Sequence, residues 1–297
     1  MTAGGASAAA QPFFKRHGLP IGIQLYTLGP DAAKDLDGTL KAVGGMGYKS
    51  VELAGLLGRT PAQMKASLDA AGLVCTSAHI QGRGPGSFSD DLAKLAEGLT
   101  TIGVKSAVMP SPLVPERLDQ RPAASESVGD WFRRVLGQMT ADDWKMNADF
   151  LNEKATVLAK SGIKVGYHNH NFEFMPLGDT TGLEIMIQRT DPKLVTFELD
   201  VGWVAAAGVD PAKFFAKHKG RFALMHVKDI KADTQPNFAL KMDPTEIGSG
   251  TLPWKTLLPA AYAAGVRGFY VEQEPPFARP RIEAAKISYD YLAGVTA

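Results

Sequence analysis

A short junction between a helix-like and a strand-like segment recurs along this chain and constrains its fold more than any other feature. Each copy has a glycine, one hydrophobic residue and a lysine or arginine: Gly47-Tyr48-Lys49, Gly103-Val104-Lys105, Gly162-Ile163-Lys164 and Gly265-Val266-Arg267. Glycine just past a helix accepts the left-handed conformation that closes the last turn, and a cation there is favourable near the helix C-terminus. Each copy therefore predicts a passage from a helix into a strand.

Strand-like runs alternate with segments of helical spacing along most of the sequence. The runs are near 21–26, 49–53, 73–79, 105–109, 163–169, 195–200, 222–227 and 268–273. This alternation implies parallel strands joined by right-handed crossovers. Because there are eight units, and no Gly-x-Gly-x-x-Gly follows the first strand, the sequence predicts an α/β fold of the (β/α)8 TIM barrel type rather than a dinucleotide-binding sheet.

The length of the chain fits one such barrel. With 297 residues and 45% hydrophobic content, we expect a single barrel domain over residues 21–297. Residues 1–20 begin with a tract of Ala, Gly and Ser, which predicts a disordered leader or the remnant of a trimmed export signal. The sequence therefore favours an exported or periplasmic location over a cytoplasmic one.

Charge and composition narrow the classes of partner. Lys+Arg number 32 and Asp+Glu 31, so the formal net charge of +1 provides no general attraction for nucleic acid or anionic lipid. No apolar stretch approaches the roughly 20 residues that cross a bilayer. The only cysteine, Cys75, excludes an internal disulfide, and its place in a strand-like run indicates packing. We therefore expect a small sugar-like substrate, with neither nucleic acid nor membrane as a partner.

Three ionisable residues end consecutive strands near the C-terminus of the chain. The sixth, seventh and eighth runs have Asp200, His226 and Glu272 at or near their C-terminal ends, so closure of a barrel would bring these residues to one side of its mouth. Two carboxylates and an imidazole suit Mn²⁺, Co²⁺, Mg²⁺, Fe²⁺ or Zn²⁺. The alternative for each residue alone is an ion-paired barrel side chain, but three at equivalent positions predict a shared metal site.

The fifth strand adds two imidazoles. His168 and His170 are two residues apart, so they point to the same side of a strand and can converge on one centre. One could complete the metal ligands while the other contacts substrate or moves a proton. We predict His168 as the fourth ligand, with Glu173 as a competing ligand, and His170 as a catalytic residue.

Four further residues are candidates for the mouth of the barrel. Glu52 and His79 end the second and third strands and are predicted to hold substrate hydroxyls, with a salt bridge as the alternative for Glu52. Trp203 is predicted to form a pocket wall for a sugar ring. Lys228 could neutralise an oxyanion as a catalytic residue, and its alternative is a solvated loop cation.

Two other features have structural alternatives. Glu198 lies two residues before Asp200 on the same inward side, and a carboxylate inside a barrel is expected to pair with another polar core group. Gly248-Ser249-Gly250 follows the seventh strand, where many barrels bind phosphate, but a short turn of this kind does not by itself establish a phosphate site.

Several motifs together give the chain a resemblance to the xylose isomerase-like, metal-dependent TIM barrels that include sugar phosphate isomerases and epimerases. The resemblance covers roughly residues 20–293. Its motifs are Ile23-Gln24-Leu25-Tyr26-Thr27, Val51-Glu52-Leu53, Ser77-Ala78-His79, Tyr167-His168-Asn169-His170-Asn171-Phe172-Glu173-Phe174, Asp200-Val201-Gly202-Trp203, His226-Val227-Lys228-Asp229 and Val271-Glu272-Gln273-Glu274.

The resemblance implies a divalent metal held by Asp200, His226 and Glu272, with the end of the fifth strand supplying the remaining ligand. Epimerase members usually have a glutamate base where this chain has His168. A fifth strand similar to His-Asn-His is found in inosose dehydratase-like and 3-keto-glycoside-cleaving members. The resemblance also implies a homo-oligomer.

The residues and the resemblance together predict an enzyme that removes a proton beside a carbonyl of a sugar or keto-sugar. His170, His168 or Glu272 would take the proton as an enediolate forms. We predict a metal-dependent isomerase or epimerase. A lyase or dehydratase, including one that cleaves 3-keto-glycosides, is the alternative that shares this first step. A sugar-binding barrel without turnover is the non-enzymatic alternative.

Overall fold

The computed structural model describes residues 11–118 and 126–297, and a closed barrel of eight parallel strands forms its centre. The strands are β1 Gly22–Gln24, β2 Ser50–Leu53, β3 Val74–His79, β4 Ser106–Met109, β5 Lys164–His168, β6 Val195–Asp200, β7 Phe222–Val227 and β8 Gly268–Val271. Each strand pairs with its neighbours in chain order, and β1 pairs with β8 to close the ring. The predicted (β/α)8 TIM barrel is confirmed.

Helices connect the strands on the outside of the barrel. Within the described ranges they are α1 Phe13–His17, α2 Gly29–Lys34, α3 Leu36–Met46, α4 Pro61–Ala70, α5 Leu92–Ile102, α6 Val128–Leu136, α7 Ala141–Leu158, α8 Gly182–Arg189, α9 Val201–Ala206, α10 Pro211–Lys217, α11 Trp254–Ala264 and α12 Arg281–Gly294. The junction glycines end helices as predicted. Gly47 and Gly265, with φ of 114° and 118°, close α3 and α11 in the left-handed conformation.

Side chains alternate between the two faces of each strand, as the pleat requires. On β6, Phe197 and Leu199 are buried in the apolar layer between strands and helices, whereas Glu198 and Asp200 point into the barrel. The lower interior is filled by a small apolar cluster of Val108, Leu224 and Tyr270. Ionisable side chains replace apolar ones toward the C-terminal ends of the strands, so the polar site sits on top of a packed core.

The prediction of a disordered leader over residues 1–20 is wrong for its second half. Residues 13–17 form α1, and the side chains of Phe13 and Phe14 are buried. Phe14 lies edge-on to Phe269 of β8 at 5.5 Å between ring centroids, and the Phe13 N–H donates to the Val295 carbonyl at 2.8 Å. Burial of two phenylalanines fixes this segment to the barrel. Residues 1–10 lie outside the described residues, and the export prediction stays a prediction.

Two long connections follow β4 and β7. The first carries α6, from Ser127 as its N-cap, and includes residues 119–125, which are not described. The second carries a two-stranded ribbon of Asp229–Ile230 with Pro244–Thr245. No helix in the described ranges is long and apolar enough to cross a membrane.

Candidate metal centre and active site

Four residues from four strand ends converge at the top of the barrel. Each of His168, Asp200, His226 and Glu272 offers one ligand atom, and the four atoms lie within 4.8 Å of one another. Asp200 and His226 are paired in register, and Glu272 follows the last residue of β8. We call these four residues the rim group. The strand-end pattern in the sequence thus brings together the residues that it predicted to share a site.

A second set of four residues overlaps the first and includes Glu198, which precedes Asp200 by two residues on β6. His79, His168, Glu198 and His226 also have ligand atoms within 4.8 Å of one another, and we call them the inner group. Glu198 Oε2 is 2.8 Å from His79 Nε2 and 3.1 Å from His168 Nδ1. The sequence indicated that Glu198 would pair with polar core groups but did not predict that these pairs form a second possible ligand set.

His226 joins the two groups because both of its ring nitrogens contact carboxylates. Nδ1 lies 2.8 Å from Glu272 Oε2, while Nε2 lies 2.7 Å from Glu52 Oε1 and 3.1 Å from Glu198 Oε2. Complete burial disfavours the charged ring, but the charges of Glu198 and Glu272 outweigh burial and raise the pKa of His226 well above its ordinary value. These carboxylates therefore favour the charged form of His226, which would have to release a proton from one ring nitrogen to bind a metal ion.

Lys228 is buried, in contrast to the solvated loop cation that was its structural alternative. Its Nζ lies 2.8 Å from both Asp200 Oδ2 and Glu272 Oε2, and 2.5 Å from Glu274 Oε1. Burial opposes its charge, but these carboxylates, Asp200 first, raise the pKa of Lys228 well above its usual range. Lys228 thus supplies positive charge at the position where the rim carboxylates meet.

Trp203 holds this arrangement from one side. Its indole N–H donates to Glu274 Oε1 at 3.1 Å, and its ring lies 5.2 Å from Lys228 Nζ. The ring is buried to 3% exposure and is absent from the residues that line the cavity described below. The structure therefore places Trp203 behind Lys228 and Glu274 rather than on the predicted sugar-binding wall.

His170 differs from the other imidazoles because one of its nitrogens is unused. Nδ1 is buried and has no hydrogen-bond partner among the described residues, and the ring stacks on Phe172 at 5.5 Å. Burial, then the nearby His168, lowers the pKa of His170 well below its ordinary value. Burial likewise lowers the pKa of His168 to about 4. Both rings are neutral at neutral pH, the form that binds metal or accepts a proton.

Glu173, the predicted competing ligand, belongs to neither group. One oxygen accepts a hydrogen bond from the Tyr167 hydroxyl at 2.8 Å, and the other accepts one from the His170 backbone N–H at 2.8 Å. Complete burial raises the pKa of Glu173 to about 8. Glu173 therefore stabilises the turn that carries His170.

Glu52 is also held inside the barrel and does not reach the cavity. It accepts hydrogen bonds from Gln24 Nε2 at 2.8 Å and from the Ser77 hydroxyl, and it contacts His226. Burial raises the pKa of Glu52, with a further contribution from the charge of Glu198. This geometry favours the ion-paired alternative over the predicted contact with substrate hydroxyls.

A cavity of about 370 Å³ opens above the rim group. Its polar wall is formed by His79, His168, His170, Glu272 and Glu274. His79, which was predicted to hold substrate hydroxyls, therefore lies in the wall of the cavity. The remaining lining residues are Tyr26, Ala54, Gln81, Pro110, Ser111 and Phe132. None of these described lining residues is lysine or arginine. Tyr26 and Gln81 lie just beyond strand ends and were not among the predicted site residues, since a polar or aromatic residue in a loop has no periodic signal.

The Gly248-Ser249-Gly250 turn encloses a side chain of the protein itself. Asp229 Oδ2 accepts hydrogen bonds from the N–H groups of Gly248 and Gly250 at 2.9 and 3.2 Å and from the Trp254 indole at 2.8 Å, while Oδ1 accepts one from the Leu252 N–H at 3.1 Å. A Cβ atom at Gly250 would collide with this carboxylate. The backbone donors that a phosphate would use in this turn are therefore taken by Asp229.

The rim group fits a divalent cation. Glu198 Oε1, whose residue contacts His168 and His226 of the rim group, is a buried acceptor that forms no hydrogen bond within the described residues; Asp200 Oδ2 forms none either but lies 2.8 Å from the Lys228 cation. A buried acceptor without a donor is costly, and a cation in this cluster would reduce that cost. Imidazole and carboxylate donors bind divalent ions with bonds of about 2.0–2.2 Å, so two donors on one ion are at most about 4.4 Å apart, and four atoms within 4.8 Å of one another need only small side-chain movements to meet one ion.

The fold and the strand-end donors together define a TIM barrel with a candidate divalent-metal site at its C-terminal mouth. The family model for xylose isomerase-like TIM barrels matches residues 40–294. The chain belongs to this family, which confirms the resemblance seen in the sequence.

Characterised relatives and solved structures are consistent with this family. The chain is 23% identical to an inosose dehydratase of Geobacillus kaustophilus in an alignment of 279 positions that covers 86% of each protein. It is 26% identical to a sugar phosphate isomerase/epimerase of Parabacteroides distasonis, with a TM-score of 0.68 over 91% of this chain and 96% of that one. The IolI protein, whose crystal structure holds a zinc atom, is 15% identical, with a TM-score of 0.63 over 93% and 98% of the two chains.

Proposed function

We propose that this protein is a divalent-metal-dependent lyase of the dehydratase kind, acting on an uncharged polyhydroxylated ketone. The observation that carries this proposal is that the candidate bases differ in their contacts with other side chains of the protein. His168 and Glu272 are tied into contacts with Glu198, His226 and Lys228, whereas the His170 ring lines the cavity and forms no hydrogen bond within the described residues. The geometry therefore offers one unengaged proton acceptor next to the rim group.

One acceptor suits elimination better than epimerisation. In an elimination, His170 Nε2 takes the proton from the carbon beside the ketone, the C–H electron pair forms the C=C bond, and the β C–O bond breaks. The departing oxygen takes up a proton from the His170 imidazolium and leaves as water or an alcohol. Epimerisation would require a proton to return on the opposite face. The inosose dehydratase relative supports the same choice.

The rim group would hold the ion, and the zinc in the IolI structure supports this assignment. A divalent ion bound there would supply Lewis acidity to the substrate carbonyl. Lys228, kept charged by Asp200, Glu272 and Glu274, would add positive charge close to the developing oxyanion. The position of Lys228 between two rim ligands supports a catalytic role for it.

Two features support a substrate without phosphate. The described wall of the 370 Å³ cavity carries two glutamates and no lysine or arginine, so a phosphate there would meet carboxylates. The turn after β7, a common phosphate site in TIM barrels, already encloses the Asp229 carboxylate. A cyclic or open-chain keto-sugar without charge fits this cavity.

Isomerisation or epimerisation of a sugar is a second candidate, favoured by the 26% identical sugar phosphate isomerase/epimerase. It shares the first proton abstraction, so the products must distinguish the two reactions. Incubation of the metal-loaded protein with keto-inositols, keto-sugars and their phosphates in D₂O, followed by NMR, tests both. We expect deuterium beside the ketone and loss of water or alcohol from unphosphorylated compounds. Retention of every C–O bond with migration or inversion of a C–H would instead establish the second candidate.

The assignment of the base has its own test. In His170→Gln the exchange of the substrate proton is expected to fall by about 10²- to 10⁴-fold, because a neutral amide cannot accept the proton. His17→Gln on α1 is the matched control and keeps the exchange rate. The metal content of both variants should equal that of the unmodified protein. Full exchange by His170→Gln would reject His170 as the base.

A further inference from the structure

A second cavity of about 560 Å³ adjoins the one above the rim group. It lies between the loops that follow β2 and β3 and the facing sides of α4 and α5. The two cavities have Ala54, His79 and Gln81 in common as lining residues. A molecule bound at the rim group can therefore extend past His79 and Gln81 into the second space.

The wall of the second cavity is more strongly apolar than that of the first, although Asp90, Asp91 and Lys94 also contribute to it. Leu56, Leu95, Leu99 and Ile102 line it together with Pro61. On α5 the lining residues recur every three or four positions, from Asp91 through Leu95 and Leu99 to Ile102, so one face of that helix forms a wall of the cavity. A cavity lined in this way suits an apolar ligand group with few hydrogen bonds to offer.

We propose that the substrate is a keto-sugar that carries an apolar substituent, such as the aromatic aglycone of a glycoside, and that this substituent occupies the second cavity. The sugar ring contacts the polar wall above the rim group, and the substituent passes between Ala54 and His79 toward Leu95. The sugar part of this inference rests on the proposed function, whereas the apolar cavity does not.

Binding of two inert probes tests the inference without any turnover. Titration calorimetry of the metal-loaded protein with phenyl β-D-glucopyranoside and methyl β-D-glucopyranoside compares an aromatic with a minimal aglycone. We expect the phenyl compound to bind about 10- to 100-fold more tightly, the gain typical of burying a phenylalanine-sized group. Equal affinities, or no measurable binding of either compound, would overturn the inference.

Variants that fill the second cavity test whether it is the source of the preference for the phenyl compound. Leu95→Trp on α5 and Leu56→Trp in the loop after β2 each place an indole in the space, and both residues are half-buried, so either variant remains informative if the other does not fold. Both are expected to reduce phenyl glucoside affinity to that of methyl glucoside. Ala93→Trp, exposed on the same helix and outside the lining, is the matched control and keeps the preference.

The outcomes separate this inference from the proposed reaction. A phenyl preference that Leu95→Trp abolishes, in a protein that exchanges no substrate proton, would support the cavity and reject the lyase. Proton exchange and dehydration of simple keto-sugars without any phenyl preference would support the lyase and reject the cavity. An unchanged phenyl preference in both Leu95→Trp and Leu56→Trp would also reject the cavity.

Discussion

The rim group and the inner group use the same two histidines but balance their charges differently. The carboxylates of the rim group, Asp200 and Glu272, share the lysine cation of Lys228, which is 2.8 Å from each. The carboxylate of the inner group, Glu198, is surrounded by imidazoles alone. A metal ion at either group would have to displace a proton from His226, but at the rim it would meet two carboxylates, whereas the inner group offers one.

This difference indicates which group binds the ion and which group supports the ligands. The rim group faces the cavity through His168 and Glu272, so an ion there can meet substrate. The inner group also reaches the cavity wall, through His79 and His168, but its carboxylate, Glu198, is buried outside the wall, whereas the rim carboxylate Glu272 is part of it. We therefore propose that the rim group binds the ion and that Glu198 of the inner group orients the two shared histidines, His168 and His226. Carboxylates that orient metal-ligating histidines tune affinity without contacting the ion.

The largest expected effect comes from Lys228, the only lysine in contact with the rim carboxylates in the described structure. Lys228→Met would leave Asp200, Glu272 and Glu274 as buried carboxylates without their cation, which costs about 3–5 kcal/mol. Thermal unfolding in EDTA should show a large loss of stability, and an added divalent ion should restore much of it. Lys231→Met, which breaks the exposed pair with Asp243, is the control and should change stability by about 1 kcal/mol or less. A metal-independent loss in Lys228→Met would contradict the proximity of the ion to Lys228.

Asp200→Asn distinguishes the two groups most directly. Removal of a charged ligand should weaken metal binding by more than the roughly 10- to 100-fold that altered supporting residues cause. Elemental analysis after dialysis, with circular dichroism to verify folding, measures the effect. Glu274→Gln removes the same charge next to Lys228 but lies outside both groups, so it should retain metal. Equal metal content in Asp200→Asn and unmodified protein would shift the ion to the inner group.

Glu198→Gln should have a smaller effect on metal binding than Asp200→Asn. The amide keeps the shape of Glu198 but removes the charge that holds His168 and His226, so affinity is expected to fall about 10- to 100-fold. Competition with a fluorescent chelator measures the dissociation constant. A greater loss than in Asp200→Asn would reverse the assignment of the two groups.

The smallest expected effect concerns the pH dependence of stability. The pKa of Glu173 is about 8 in the folded chain, above its ordinary value of 4.5, so the folded state binds more protons and stability falls as pH rises between these values. One fully shifted group contributes at most about 1.4 kcal/mol per pH unit. Glu173→Gln mimics the protonated form and should flatten this part of the curve of unfolding midpoint against pH, measured in EDTA. The exposed Glu97→Gln should leave it unchanged, and an identical slope in Glu173→Gln would contradict the raised pKa.

The strands could be predicted from the sequence because their start signals are local. Glycine junctions before β2, β4, β5 and β8 mark helix ends, and the observed bounds differ from the predicted ones by few residues. The first strand ends at Gln24, before the predicted 26, because the Gln24 side chain accepts a hydrogen bond from the Tyr26 N–H and begins a 3-10 turn. Such a local side-chain contact competes with strand pairing, and it leaves no periodic pattern of hydrophobic residues in the sequence.

The site was predictable as far as strand ends determine it. Asp200, His226 and Glu272 meet because parallel strands place their C-terminal ends on one rim. The partners of a side chain across the barrel depend on strand register and barrel closure, so the contacts of Glu52 and Glu173 did not follow from spacing. The buried helix α1 was missed because the small-residue tract before it resembles disordered sequence, although Phe13 and Phe14 are themselves an apolar signal.

The carboxylate of Asp229 has a consequence for how the mouth of the barrel responds to ligands. A loop that wraps an anion from solution becomes ordered only when that anion arrives, and the ordering reduces binding affinity. In this protein the anion is covalently part of the chain, so residues 248–252 have their donors satisfied before any substrate enters. That sector of the mouth is thus preorganised, and any induced fit must occur on other sides of the opening.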